Sequence, residues 1–475
     1  MLHDLLRERF SGKRIILLGL GVSNIPVARE FIKAGMADSL TVRDAKSFDA
    51  LGADAAEFAS AGVRFECGID PVKDFTDDVQ NAVIFRSPGI RPDAGDLSFA
   101  LFAGATLTSE VEFFCENTPA RIIAVTGSDG KTTTSTLTYL ILKEGYSGGR
   151  VFLGGNIGTP LFPLLDDISE NDICVLELSS FQLMTMSSRA VHAAITNITP
   201  NHLNWHIDMN EYAEAKYRVC GEKTARLVLN ATDGYCRTLA GRTTAPKILF
   251  SAYKDDISTL CSGIDAKGII LRNGEIILSD GNTEKLLLKA SDIKIPGVHN
   301  IENYMTATAL TYGIADPEAV VRVAQTFGGV AHRLELVREL DGVKYYNSSI
   351  DSSPTRTMAA LSTFENKPTV IIGGRGKKTP YFELARELYI RAGAVILTGE
   401  TADEVTEALN VAAPDFPESD LKIIREESFE ECVNIARRIT PSGSAVLLSP
   451  AATSFDRFKN FAERGETFKA IVSKL

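Results

Sequence analysis

Cysteine is sparse and unpatterned in this chain. Seven cysteines, an odd number, are scattered over 475 residues with no pair at C-x-x-C spacing. That argues against a disulfide framework and against a cysteine metal site, and it fits a reducing cytoplasm. No segment approaches the roughly 18 apolar residues needed to span a bilayer. The amphipathic start, Met1 to Phe10, has no apolar stretch of signal-peptide length. The expectation is a cytoplasmic protein without membrane insertion. Lysine and arginine form no basic run, and the net charge is −11, so nucleic acid is not the expected partner. There is no internal repeat and no low-complexity segment. What remains is ordinary for a soluble globular protein, 44% hydrophobic and 23% charged residues, in a length that accommodates about three domains.

Three α/β blocks can be read. The first opens with the strand Arg14 to Leu18 running into Gly19-Leu20-Gly21, a helical pattern from Ile25 to Ala34, and a second strand, Ser39 to Arg43, ending at Asp44. This begins a doubly wound nucleotide-binding sheet. A later strand, Ala82 to Phe85, runs into Ser87-Pro88-Gly89. The second block has strands Ile173 to Leu178 and Ala193 to Ile198, a β-rich stretch between about residues 225 and 295, and a helix from about Asn300 to Tyr312. Gly328-Gly329 reads as a hinge. The third block has strands at Lys344 to Tyr346, Thr369 to Ile372, Ala394 to Leu397 and Ala445 to Leu448, separated by helices.

The most informative stretch is Ile122 to Thr134. Apolar β-formers lead into Thr126-Gly127-Ser128-Asp129-Gly130-Lys131-Thr132-Thr133-Thr134, and a helical run follows. This is the layout of a nucleoside-triphosphate phosphate loop: backbone N–H groups and a helix N-terminus face the phosphates, a lysine neutralises charge, and a hydroxyl reaches Mg²⁺. Gly127, Asp129, Gly130, Lys131, Thr132 and Thr133 are therefore the candidate ATP contacts. The pattern G-x-x-x-x-G-K-[ST] needs glycine at 125, and Val125 stands there, so the loop is a tighter variant.

Glu177 ends a buried strand beside that loop, where a carboxylate anchors Mg²⁺ or is simply solvated. Asn197 to His206 follows the next strand and holds two of six histidines and the only tryptophan. A histidine such as His202 can ligate Mg²⁺, bind an acyl or phosphoryl oxygen, or be structural. Lys216, on its own, reads as a surface helix lysine. The first glycine turn is G-x-G-x-x-N, with Asp44 at ribose-ligand spacing; both NAD and a UDP-type nucleotide fit it. Gly373 to Lys378 and Ser449 to Asp456 are glycine- or hydroxyl-rich turns after strands, suited to a carboxylated small molecule or to ordinary βα turns.

Together these residues resemble the Mur ligases, the ATP-dependent amide-forming enzymes of peptidoglycan precursor synthesis. The carrying segments are Thr126 to Thr134, Glu177 to Leu183, Asn197 to His206, Gly297 to Asn303, His332 to Glu335 and Ser449 to Gly465. The resemblance implies an α/β fold of three domains: a Rossmann-like UDP-binding domain at 1–109, a central P-loop ATPase-type domain at 110–329, and a Rossmann-like amino-acid-binding domain at 330–475. It implies joining of D-glutamate to UDP-N-acetylmuramoyl-L-alanine through an acyl phosphate, with ATP and two Mg²⁺ sites, by a monomer. Lys131 is then expected to hold the β/γ-phosphates. Thr132, Glu177, His202 and Lys216 are expected at the metals, Lys216 as a carbamate. Asn300, Asn303 and Arg333 are expected around the ATP base and ribose, and Val22, Ser23, Asp44 and Ser87 at the uridine nucleotide. Asn156 and Ser179 are expected at the muramoyl-alanine. Lys377, Ser454 and Phe461 are expected at D-glutamate, with Phe455 beside them and Ser352 nearby.

Several positions depart from the family pattern. Asn201 and Asn204 stand where aspartates are usual, Asn24 replaces a glycine, Lys46 an arginine, and Gly376 an aspartate. Loss of two carboxylates beside His202 is expected to weaken Mg²⁺ binding there. The competing assignments are a relative adding L-alanine to UDP-N-acetylmuramate or glutamate to a folate, or a non-catalytic nucleotide-binding homologue. Two substrates on separate blocks imply that the third block swings about Gly328-Gly329.

Overall fold

The computed structural model describes residues 2–75, 79–376 and 380–475. Its described residues form three sheets. The first contains β1 (Ile15–Leu18), β2 (Leu40–Asp44), β3 (Arg64–Cys67), β4 (Val83–Arg86) and β5 (Thr106–Thr108), all parallel, in the order β3-β2-β1-β4-β5. The second contains β6 (Arg121–Thr126), β7 (Val151–Gly155), β8 (Ile173–Glu177), β9 (His192–Ile195), β10 (Arg226–Asn230), β11 (Lys247–Ser251), β12 (Lys267–Arg272), β13 (Glu275–Ser279) and β14 (Glu284–Lys289). Their order is β14-β13-β12-β11-β10-β9-β6-β8-β7, parallel except for the β12-β13-β14 meander. The third contains β15 (Glu335–Leu340), β16 (Val343–Asn347), β17 (Thr369–Gly373), β18 (Ala394–Thr398), β19 (Lys422–Arg425) and β20 (Ala445–Leu448), in the order β15-β16-β20-β17-β18-β19. Only β15 runs antiparallel there.

The parallel strands read as continuous apolar runs because helices cover both faces of each sheet. β1, β6 and β20 are inner strands, each between two parallel neighbours on its opposite edges: β2 and β4 beside β1, β8 and β9 beside β6, and β16 and β17 beside β20. At such switch points the loops leaving the strand C-termini splay apart and open a crevice. Ser87 follows β4, the phosphate loop follows β6, Glu177 ends β8, and Ser454 lies on the loop after β20.

The chain divides into two compact units, one of residues 1–292 and 298–324, the other of residues 293–297 and 325–475. The first two sheets share one unit because a common aromatic core joins them. Phe10, Phe31, Phe85, Phe113 and Phe162 form a chain of tilted and edge-on rings with centroids 5.3–6.1 Å apart. Each such ring removes about 150–250 Å² of surface from water, so a Phe85→Ala change would open a cavity shared by both sheets.

Some elements differ from expectation. The strand after Ala193 stops at Ile195, not Ile198, because Thr196 and Asn197 turn their polar groups to the phosphate loop. β7 and β15 escape periodicity: one is glycine-rich at its end, and the other is a half-buried, charge-bearing edge strand. No described helix is long and apolar enough to cross a membrane.

Candidate functional site

The crevice beside β6 is built around the phosphate loop. β6 ends at Thr126, and the helix Lys131–Gly145 begins directly after Gly130, which takes the left-handed conformation (φ 76°). A Cβ at Gly130 would strike Asn303 Oδ1, and one at Gly127 (φ 149°) would strike Thr196 Oγ1. Only glycine lets the chain pass at both points. The helix start has no capping side chain and no acid in its first turn. Its first N–H groups therefore form a positive rim suited to phosphate. Ser128 N donates to Asn197 O (2.8 Å), Asp129 N donates to Asn197 Oδ1 (3.0 Å), and Lys131 Nζ donates to Ser128 O (2.9 Å). Thr134 Oγ1 donates to Asn303 Oδ1 (3.1 Å) and Asn303 Nδ2 to Asn300 Oδ1 (3.1 Å), so both predicted asparagines stand at the loop.

Glu177, Lys216 and His202 converge on the same place. β8 pairs with β6 so that Glu177 lies opposite Val125. Glu177 Oε1 accepts from Asn156 Nδ2 (2.8 Å), whereas Oε2 is buried without a partner. A buried, unpaired carboxylate oxygen is costly unless a cation or donor completes it. Lys216 is 1% exposed, which corrects the surface-lysine reading. Its Nζ donates to Gly127 O (2.7 Å) and lies 4.5 Å over the Tyr212 ring. Burial, reinforced by the nearby Lys131 charge, holds its pKa well below the ordinary lysine range. His202 adopts φ 55° on the following turn; partial desolvation and then Lys131 and Lys216 lower its pKa. Among the described residues no cluster of three or more His, Cys, Asp and Glu side chains forms a metal cage. A mixed set of one carboxylate, one hydroxyl (Thr132) and one imidazole suits a Mg²⁺ whose remaining ligands are phosphate oxygens and waters. The orphaned Glu177 oxygen fits such an ion.

The crevice beside β1 gathers Val22, Ser23, Asp44 and Ser87. Gly19 has φ 77°, and a Cβ there would press on Ser87 Oγ at 2.9 Å; Ser87 Oγ donates to Gly19 O (3.0 Å). Asp44 holds the turn through Leu20 N (2.7 Å) and Lys46 N (2.8 Å). Asn24, in place of the usual glycine, is fully buried, and its amide lies within reach of Leu18 O, Gly19 O and Phe85 O. The departure thus ties the glycine turn to β4. Val22 is 80% exposed at the mouth. Ser179, predicted at the muramoyl-alanine, forms a capping box with Gln182 at the short helix after Glu177.

The second unit carries its own crevice beside β20. Ser454 is buried, while Phe455 and Phe461 are exposed. Ser349 Oγ donates to Phe461 O (2.8 Å). Arg464, 2% exposed, donates to Ser349 O (2.9 Å), Ala452 O (3.1 Å), Thr453 O (3.2 Å) and Gly373 O (3.3 Å). Desolvation lowers its pKa to about 10. This arginine ties three loops together, and sequence reading did not single it out. Asn347 Nδ2 meets His332 Nδ1 and Glu335 Oε2 (both 3.0 Å). Ser352 is half-buried on the loop after β16, and Arg333 belongs to this unit through its bridge with Val330. Lys377 lies outside the described residues.

The chain is similar to known proteins. The Mur ligase middle domain matches residues 125–311. The UDP-N-acetylmuramoylalanine--D-glutamate ligase of Ruminiclostridium cellulolyticum is 42% identical over 472 residues, covering 99% of this chain and 98% of the relative. The enzyme of the same name from Acetivibrio thermocellus is 41% identical over 475 residues, with the same coverage. Among solved structures, MurF from Acinetobacter baumannii superposes with a TM-score of 0.58 at 17% identity, over 100% of this chain and 98% of that one. This last likeness speaks for the fold alone.

Proposed function

The chain belongs to the Mur ligase family, and we propose that it joins D-glutamate to UDP-N-acetylmuramoyl-L-alanine at the expense of ATP. The observation that carries this reading is the meeting of three features at one crevice: an uncapped helix start behind a glycine-rich loop, a buried unpaired carboxylate oxygen, and a buried lysine amine. Its specificity for D-glutamate rests on the relatives of that name, each matched over nearly its whole length.

The chemistry asks two anions to meet. The carboxylate of UDP-N-acetylmuramoyl-L-alanine attacks the γ-phosphorus of ATP, ADP leaves, and an acyl phosphate forms. The amine of D-glutamate then attacks the acyl carbon, and phosphate leaves with the former carboxylate oxygen. No protein nucleophile is required; the work is positioning and charge neutralisation. The first-turn N–H groups from Gly130 to Thr133 bind phosphate oxygens, and Lys131 moves from Ser128 O to the β/γ-phosphates. Thr132, Glu177, His202 and Lys216 would hold Mg²⁺ in two sites. Bound there, Mg²⁺ supplies the positive charge that lets the carboxylate approach the γ-phosphate. An ammonium cannot serve as a metal ligand, but the buried neutral Lys216 amine can add to CO₂ and release a proton, giving an anionic carbamate. Asn156 and Ser179 orient the muramoyl-alanine, and Asn300, Asn303 and Arg333 the adenosine. Val22, Ser23, Asp44 and Ser87 receive the uridine nucleotide. Ser454, Phe455, Phe461 and Ser352 form the D-glutamate pocket, held by Arg464. We place the enzyme in the cytoplasm as a monomer.

The test is phosphate release with ATP, Mg²⁺, UDP-N-acetylmuramoyl-L-alanine and a panel of amino acids. D-glutamate should give the excess phosphate; equal release with L-alanine or with no amino acid would refute the assignment.

A further inference from the structure

The first unit contains a polar chain that the reaction above does not use, and it runs between two of its crevices. The end of β4 and the loop after it, which carries Ser87 at the proposed uridine site, send two arginines to the second sheet. Arg86 is fully buried and donates to Pro88 O (3.0 Å) and Ile90 O (2.6 Å) within its own loop, and to Phe181 O (2.8 Å) in the helix after Glu177. Arg91 binds Glu211 through two nitrogens (3.0 and 2.8 Å) and donates to Trp205 O (2.6 Å). Trp205 Nε1 returns a hydrogen bond to Gly89 O (2.8 Å).

From Glu211 the chain continues inward. Glu211 Oε2 meets His206 Nδ1 (3.1 Å), and His206 Nε2 meets Ser180 Oγ (2.9 Å). Arg91, as hydrogen-bond partner, holds the Glu211 carboxylate down to about 2, so the carboxylate accepts from His206 Nδ1–H, while Nε2 meets the Ser180 hydroxyl. The turn bearing His202 is fixed to the same cluster, because Trp205 N and His206 N both donate to His202 O (2.9 Å each). The Phe181 ring lies 4.8 Å from His202, 4.5 Å from Trp205 and 5.8 Å from His206.

We propose that Glu211 and His206 are positioning residues that couple the nucleotide crevice beside β1 to the His202 metal position beside β6. The inference rests on the functional reading above. Occupancy of the β4 loop and occupancy of the metal-nucleotide site then favour one another. Reciprocity follows by linkage: each ligand tightens the other by one and the same factor. A nucleotide that fills only the first crevice acts on the second through Arg91, Glu211 and Trp205. Since the chain consists of one arginine fork and two single hydrogen bonds at His206, the factor should be about fivefold, at the low end of known couplings.

Trp205 is the only tryptophan, so its emission reports on this cluster alone. The probes are UDP, which lacks the muramoyl group, and Mn²⁺ with a non-hydrolysable ATP analogue. In the full chain, saturating UDP should lower the Mn²⁺–analogue dissociation constant about fivefold, read by quenching of Trp205 and by calorimetry. Glu211→Gln should bind each probe alone and lose the coupling. Arg91→Lys, which keeps the charge but not the fork, should retain only part of it. Circular dichroism checks that both variants fold. If both probes bind the wild-type chain without influencing each other, or if Glu211→Gln couples them as wild type does, the proposal is overturned while the ligase reading stands. If neither probe binds, both fall.

Discussion

Replacing Lys216 with methionine should separate stability from activity in a pH-dependent way. The folded chain buries this amine, donating to Gly127 O at 2.7 Å, and depresses its pKa well below the ordinary 10.5. Below that ordinary value the unfolded chain carries a proton on Lys216 that the folded chain does not. The unfolded state thus binds more protons, and wild-type stability rises with pH through the window between the folded and ordinary values. Relative to Lys216→Met the rise is about 1.4 kcal/mol per pH unit. The substitution removes the cost of keeping the amine neutral but strands the buried Gly127 carbonyl, worth about 1–3 kcal/mol. The variant should therefore gain on wild type as the pH falls through that window and lose to it as the pH rises towards the ordinary lysine value. Urea unfolding at a series of pH values measures this directly. Bicarbonate should stabilise wild type and not the variant, and the variant should have no turnover. A stability difference independent of pH would refute the account of Lys216 as a neutral buried amine.

Other outcomes follow from the same geometry. Glu177→Gln keeps the size of the side chain but removes the unpaired anionic oxygen, so the Mg²⁺ midpoint in phosphate release should rise at least about tenfold; an unchanged titration would remove Glu177 from the metal set. Gly127→Ala drives a Cβ into Thr196 Oγ1 at a positive φ, and should cost about 3 kcal/mol in denaturant unfolding. Adding Thr196→Ala should recover part of that loss, and no recovery would place the strain elsewhere. Asn201→Asp restores a carboxylate beside His202 and should lower the Mg²⁺ midpoint several-fold, about one hydrogen-bond's worth; an unchanged dependence would mean that the asparagine is neutral to metal binding.

The phosphate loop was legible because strand, turn, lysine and hydroxyl are contiguous, and local sequence dictates each. The parallel strands were legible for a similar reason: two-sided burial writes them as short apolar runs. Lys216 was not legible from its helix, since its burial comes from Tyr212 and Gly127, the latter far away in the chain; only the family resemblance pointed to it. Arg464, Arg91 and Glu211 left no local signal of their roles either, and His206 only as one of two histidines in a turn. They are polar residues on ordinary-looking helices and loops, and their roles exist only once two or three strand-end loops are brought together. Asn24 read as a defect in a glycine turn, yet its buried amide joins β1 to β4. Edge strands β7 and β15 were missed because half-buried edges carry mixed, glycine- or charge-bearing sequences.

The central claim is that a substrate carboxylate is phosphorylated at the β6 crevice before D-glutamate attacks. The most direct measurement places oxygen-18 in the carboxylate of UDP-N-acetylmuramoyl-L-alanine and follows the label by mass spectrometry during turnover with ATP, Mg²⁺ and D-glutamate. One labelled oxygen should appear in each phosphate released, with the amide product retaining the other. Phosphate released in step with amide formation but carrying no label would contradict the account.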